Sequence, residues 1–190
     1  MSKIKYVVVD TETSGVGKTD TVLQLAYQTF DAEGKPLDWF SGYFAPPWEY
    51  EIHPEALKVN GLTKEFILEK GYRGSQIHSR LDRIRIFALD GAIIVGHNIS
   101  FDLRMIRQDM RRYGITEIHN EVSFCTKNNR EIKAYVGATD INNKPKAPSL
   151  AELHTRLFGE EIQGAHDALA DVRATSRCFF ELKRLGIVAV

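Results

Sequence analysis

The spacing of apolar positions changes twice along the chain. Ile4 to Val9 is a β-branched apolar run that predicts a central strand. Ser14 to Asp20, a Gly/Ser/Thr/Lys stretch, follows as a loop. From Val22 to Phe30 apolar residues stand at 22, 23, 25, 27 and 30, a broken alternation that suits a second strand. Asp31 to Pro36 is turn chemistry, and the aromatic-rich Trp39 to Phe44 returns as a third strand. The first third of the chain therefore reads as a β-meander.

Beyond it the period lengthens. Ala45 to His53, with Pro46-Pro47, is a loop. His53-Pro54-Glu55-Ala56-Leu57 starts a short helix, with proline in its first turn. Thr63 and Glu65 open another, stopped at Gly71. Ser75 to Leu89 carries a helical stripe at 77, 81, 84 and 88. Ala92 to Val95 is a short buried strand ended by Gly96-His97-Asn98, and Asn98 is placed to cap the next helix. That helix has Ile99, Leu103, Ile106, Met110 and Tyr113 on one face, and Gly114 closes it. Val122 to Cys125 predicts an edge strand, followed by a helix to about Tyr135. Val136 to Ser149 is a long polar loop. Ser149 caps a helix over Leu150 to Phe158, and a last helix runs from about Asp167 to Leu185. Its core stripe is Ala168, Val172, Thr175, Phe179 and Leu182. A meander followed by alternating strands and helices implies an α/β fold with a mixed sheet between helices.

Length and composition narrow the class. The chain has 190 residues, enough for one well-buried domain over 1–190. Hydrophobic residues at 43% and charged residues at 26% fit a soluble protein. Basic and acidic residues balance at 25 each, so a nucleic-acid partner would be held by local patches and metal ions. Only Cys125 and Cys178 occur, which excludes a disulfide framework and a zinc spacing. Met1 to Tyr6 is too short and polar for a signal peptide, and no apolar run is long enough to span a membrane. The expected location is cytoplasmic.

Candidate chemistry begins where the first strand ends. Asp10 and Glu12 are at i and i+2, so both leave a strand toward the same face. Like charges that close repel unless a cation lies between them. The plain alternative is a strand ending in a polar turn. Asp102 falls in the first turn of the helix after the Ala92–Val95 strand. If the two strands are parallel neighbours it reaches the same rim. Otherwise it is an acid favoured by the helix dipole. His166 and Asp171 are five apart, about 140° around a helix, so His166 belongs in the turn before the last helix and Asp171 on its second turn. Ala165, Ala168, Ala170 and Ala174 would let that helix approach the sheet closely.

These features occur in a fixed order: Asp-x-Glu after a strand, Gly-His-Asn-x-x-x-Asp opening a helix, and His-x-x-x-x-Asp opening the last one. In that order the chain resembles the DEDD family of 3′-5′ exonucleases, in its histidine (DnaQ-like) subclass. Further matches are the stretch Pro54 to Thr63, Cys125-Thr126-Lys127, and Ser149 to Leu153. The resemblance implies a ribonuclease H-like fold with a five-stranded mixed sheet flanked by helices. It implies catalytic roles for Asp10, Glu12, Asp102, His166 and Asp171, with the four carboxylates holding two divalent ions, Mg²⁺ or in its place Mn²⁺. In that scheme Asp10 bridges both ions, Glu12 and Asp171 hold the water-side ion, and Asp102 supports the other. An all-oxygen set suits magnesium, and a histidine suits the general base. Substrate contacts are implied for Thr11, Thr13, Glu55, Asn60, Leu62, Asn98 and Phe101. Two positions depart from the family: Ser14 stands where a threonine is common, and Asn60 where many members have histidine.

The implied activity is release of nucleoside monophosphates from 3′ ends of single-stranded DNA, with DNA repair or proofreading as its setting. RNA trimming on the same fold, or a non-catalytic nucleic-acid-binding module, are the alternatives. Basic residues at Arg104, Arg107, Arg111 and Arg112 read as a solvated face. Those at Lys127, Arg130, Lys133, Lys144 and Lys146 are better placed for strand contacts. Trp48 and Tyr50 have the chemistry to stack bases, but read rather as buried under the proline-rich loop. The chain shows no C-terminal tether for a polymerase, so polymerase association is possible but not indicated.

Overall fold

In the computed structural model, residues 3–164 and 166–190 are described, so Ala165 and its place in the alanine set lie outside the described residues. Strands β1 (Tyr6–Thr13), β2 (Val22–Phe30) and β3 (Pro36–Tyr43) form the antiparallel meander. Helices α1 (Pro54–Asn60), α2 (Lys64–Lys70) and α3 (Ser75–Leu89) precede β4 (Ile93–Gly96) and α4 (Ile99–Arg112). Then come β5 (Ser123–Cys125), α5 (Arg130–Val136), α6 (Leu150–Phe158) and α7 (Ala168–Arg184). The sheet order is β3-β2-β1-β4-β5, with β1/β4 and β4/β5 parallel.

Alternation along β1 divides the core into two layers. Val7 and Val9 face the side covered by α3 and α4, against Leu81, Ile84, Leu103 and Ile106. Tyr6 and Val8 face the other side, against Ala168, Val172 and Phe179 of α7. Smaller clusters sit under the 45–53 loop (Leu23, Tyr50, Leu62, Ile67) and between α5, α6 and α7 (Ile132, Leu153, Leu182). Trp48 packs on Tyr113 with ring centroids 4.7 Å apart, and Tyr50 is buried.

Several boundaries differ from the pattern-based reading. β1 continues through Asp10 to Thr13, because β2 supplies partners Ala26, Leu25 and Gln24 to Asp10, Thr11 and Glu12. The ladder, not the apolar run, sets its length. β3 starts earlier, at Pro36. The buried stripe of α3 ends on Phe87, and Ala88 is only half-buried. Asp171 is in the first turn of α7, because the helix starts at Ala168 behind the cap Asp167. Asn98 occupies the N-cap position of α4, but with φ 85° and no side-chain cap bond. Asparagine is one of the few residues that adopts this left-handed conformation readily.

Ile106 is fully buried on the α4 face that holds this helix to β1. Ile106→Ala should destabilise the protein by about 2–5 kcal/mol. Urea unfolding followed by circular dichroism measures it. A change below about 0.5 kcal/mol, the range of surface substitutions, would mean that α4 is not held by this layer.

Candidate active site

The end of β1 that reaches beyond β4 carries the acids. β4 pairs with β1 only from Tyr6 to Val8, so past Val9 that edge of β1 has no strand beside it. Asp102, in the first turn of α4, fills the gap. Its Oδ1 accepts from the Thr11 backbone N–H at 3.0 Å and from the Thr11 hydroxyl at 2.8 Å. A side chain thus takes over the sheet's hydrogen bonding where the neighbouring strand stops. Gly96 is where the chain turns away, and a Cβ there would lie 2.9 Å from Ile99 Cδ1 and 3.1 Å from the Val9 carbonyl.

Asp10 and Glu12 share the opposite face of β1 with Val8, the face covered by α7. Asp171 joins them from α7. Oxygens of Asp10, Glu12 and Asp171 all lie within 4.8 Å of one another. Asp102 is not in that set, because it approaches from the α4 layer with one oxygen engaged by Thr11. The four carboxylates are therefore arranged as three plus one around β1.

Two residues that sequence patterns did not single out fix the start of α7. Asp167 caps it, its Oδ1 accepting from Leu169 N and Ala170 N at 3.1 Å. Buried Gln24, the β2 partner of Glu12, donates from Nε2 to Asp167 Oδ2 at 2.9 Å and accepts from Ala168 N at 3.3 Å. One glutamine thus ties β2 to the helix that carries Asp171. An Asp immediately before the alanine-rich start of a helix is a legible cap. The reach of Gln24 across the layers has no sequence signature.

The electrostatics follow first from burial, with the neighbouring acids adding to it at Asp10 and Glu12. Burial, then Asp102, Asp171 and Glu12, push Asp10 well above the carboxylate range. Burial raises Glu12 to about 7 against a lowering contribution from Asn60, and raises Asp102 to about 7 despite the two Thr11 bonds. Burial also raises Asp171, partly offset by His166. Such a cluster of hard oxygen donors is compatible with a divalent cation and has no sulfur ligand to favour a softer one.

A cleft of about 670 Å³ adjoins the acids, lined by Thr11, Glu12 and Thr13 of β1, the following loop, Phe101 and α1. Glu55 and Asn60 of α1 line it. Asn60 donates to the Thr13 carbonyl at 3.2 Å and accepts from Leu62 N at 3.0 Å, so most of its amide is committed to the protein. Thr13 Oγ1 donates to the Gly15 carbonyl at 2.7 Å. Leu62 is 7% exposed and packs with Leu23, Tyr50 and Ile67, away from the cleft lining. Asn98 is half-buried at the head of α4 and also outside that lining. His166 is exposed in the turn before α7, in the left-handed region at φ 69°. Lys144 and Lys146 do not line the cleft, and Lys146 pairs with Glu152 at 2.7 Å.

An acidic cluster at the parallel-strand end of a five-stranded mixed sheet, order 3-2-1-4-5, defines a ribonuclease H-like nuclease domain. Residues 7–179 match the family described as Exonuclease, of RNase T type, and the chain belongs to that family. Its DnaQ-like, DEDD character is that of the motifs Asp10-x-Glu12, Asp102 and His166 to Asp171. The PolC-type DNA polymerase III of Lacticaseibacillus paracasei is 26% identical over 187 residues, covering 97% of this chain and 12% of the polymerase. Exonuclease I of E. coli, solved with a dA16 oligonucleotide, superposes with TM-score 0.78 at 22% identity, covering 96% of this chain and 41% of that one. Exonuclease I of Methylocaldum szegediense gives TM-score 0.76 at 25% identity, with 96% and 41% covered. This chain thus spans about an eighth of the polymerase's length and two fifths of the exonuclease I chains. No helix among the described residues is long and apolar enough to cross a membrane.

The raised acids give a signed prediction. Glu12 and Asp102 hold protons more tightly folded, at about 7, than unfolded, at roughly 4. Between those values the folded metal-free state binds more protons, so its stability falls as pH rises through that window. Thermal denaturation in chelator should give a lower Tm at pH 8 than at pH 5. Magnesium, offsetting the same charge, should raise Tm more at pH 8 than at pH 5. Equal gains at both pH values would mean that the ion does not bind at these acids.

Proposed function

We propose that residues 1–190 act as one exonuclease domain that hydrolyses single-stranded DNA from its 3′ end and releases nucleoside 5′-monophosphates. The observation that carries this reading is the convergence of Asp10, Glu12 and Asp171 within 4.8 Å beside a cleft, with Asp102 arriving from the next layer. The cleft adjoining the acids is of a size to take an unpaired terminal nucleotide, which favours an exonuclease over an enzyme that cuts within a duplex. E. coli exonuclease I, solved with a single-stranded oligonucleotide, supports the choice of substrate.

Asp10, Glu12 and Asp171 would hold one divalent ion, and Asp10 with the free oxygen of Asp102 a second. Two such ions, Mg²⁺ or Mn²⁺, supply positive charge to the attacking and leaving oxygens of a phosphodiester. The chain's own part is positional and protolytic. Thr11 fixes the Asp102 carboxylate, and Gln24 through Asp167 fixes the helix bearing Asp171. His166 takes the proton of the attacking water at a ring nitrogen, and its exposed, left-handed position leaves the imidazole uncommitted to the core. The water oxygen bonds to phosphorus as the bond to the 3′-oxygen breaks.

On 5′-labelled DNA with magnesium, a ladder shortening from the 3′ end is expected, with none in excess chelator. A circular single strand should resist cleavage. Cutting of circles as fast as linear strands would make the enzyme an endonuclease.

His166→Ala should lower turnover by about 10²- to 10⁴-fold while magnesium and single-stranded DNA still bind in calorimetric titration. Asp10→Asn should weaken magnesium binding as well. Wild-type turnover in His166→Ala would assign the base elsewhere.

A further inference from the structure

The four arginines of α4 read in the sequence as one solvated face, and the structure separates them. Arg107 is paired with Glu121, Arg111 with Glu117, and Arg112 with Asp109. Arg104 is exposed and has neither an ion pair nor a side-chain hydrogen bond among the described residues. Its guanidinium instead lies over Phe101, with Cζ 5.2 Å from the ring centroid. Phe101 lines the cleft. Positions 101, 104 and 108 are three and four apart, so they share one face of the helix. On that face Gln108 donates to the carbonyls of Gly17 and Asp20, in the loop that walls the cleft. Arg104 therefore stands at the rim, between the residue that lines the cleft and the residue that anchors its wall.

The cleft itself is poorly suited to a phosphate. Its lining holds the carboxylates of Glu12, Asp20 and Glu55, and among the described residues no lysine or arginine. His53 is the one basic side chain there, and its Nε2 is paired with Asp20 at 3.2 Å. Val16, Ala56 and Val59 give the lining an apolar part that suits base and sugar. The divalent ions proposed above serve the scissile phosphate, but a strand carries one negative charge at every further link. Those charges need a cation outside the lining. A guanidinium presents five donors in a planar fork that matches phosphate oxygens. In Arg104 all five are unused, and the Phe101 ring holds the group in place.

We propose that Arg104 binds a backbone phosphate on the 5′ side of the scissile link, so that the strand enters over the Phe101–Arg104 edge of α4 while its terminal nucleotide lies in the cleft. The proposal rests on the reading of this chain as an exonuclease acting on single strands. A phosphate contact positions the strand and carries no base preference.

The test compares a 5′-labelled oligothymidylate with the p-nitrophenyl ester of thymidine 5′-monophosphate, which has the scissile phosphate and no other. Kinetics are read with magnesium, and binding of the oligonucleotide by anisotropy in chelator over a series of salt concentrations. Arg104→Gln should raise KM on the oligonucleotide about five- to twentyfold with kcat unchanged, and leave the ester untouched. It should also flatten the slope of log affinity against log salt by about 0.7, one phosphate contact on a single strand. Arg104→Lys should restore the slope and only part of KM, because the charge returns without the fork. Arg111→Gln, an exposed arginine of the same helix, should change neither. Equal damage to ester and oligonucleotide would mean that Arg104 merely holds Phe101 and overturns the proposal. An unchanged salt slope, or the same effect from Arg111→Gln, overturns it too. A wild type that binds the strand without cutting it defeats the exonuclease reading instead, and the salt slopes of the variants still decide the role of Arg104.

Discussion

Mutual repulsion among carboxylates gathered at the end of one strand is the constraint on which this structure turns. Asp10, Glu12 and Asp171 crowd within 4.8 Å, and Asp102 adds its field from the other layer. Nothing in a hydrophobic core holds such groups together, and two like charges at that distance oppose each other strongly in a medium less polar than water. The surrounding fold must impose the arrangement. The deep layers on both faces of β1 do so, with each acid placed by an element anchored elsewhere. The cluster is compatible with a divalent cation, which would offset this repulsion.

That constraint explains the density of polar ties near the site. Gln24 locks the start of α7 to β2, and Asp167 serves both as cap and as its handle. At the far end of α4, buried Asp109 accepts from Thr21 Oγ1 at 2.7 Å and Val22 N at 2.8 Å, and is paired with Arg112. The helix bearing Asp102 is thereby fastened to the loop that leaves β1. Hydrogen bonds of this kind add little net stability singly, but buried donors left without partners are expensive, so the network is specific about geometry.

Most of the framework was readable from residue order. The stripes Ile99-Leu103-Ile106-Met110 and Ala168-Val172-Phe179 are helical faces, and both are buried as such. Ser149 forms the capping box with Glu152 that its position suggests. The acids were legible because two motifs open helices and one closes an apolar strand. What was hidden depended on long-range pairing. The extension of β1 to Thr13 comes from β2, which an apolar pattern does not report. The left-handed Asn98 follows from the turn out of β4, and Leu62 is claimed by a local core. The pairings of Asp20 with His53 and of Gln24 with Asp167 join distant residues of ordinary type, and only the packed chain reveals them.

Asp102 standing in for a missing strand partner has a bearing on how inactive forms of this protein are made. Its Oδ1 satisfies two Thr11 donors, both buried with that residue. Truncation to alanine would strand both, at a penalty of about 1–3 kcal/mol for each unsatisfied group. Loss of activity would then be entangled with a slackened end of β1. An asparagine keeps an acceptor oxygen at the same place and removes only the charge. The amide is therefore the cleaner silent version of this position, and alanine reports on sheet integrity as much as on chemistry.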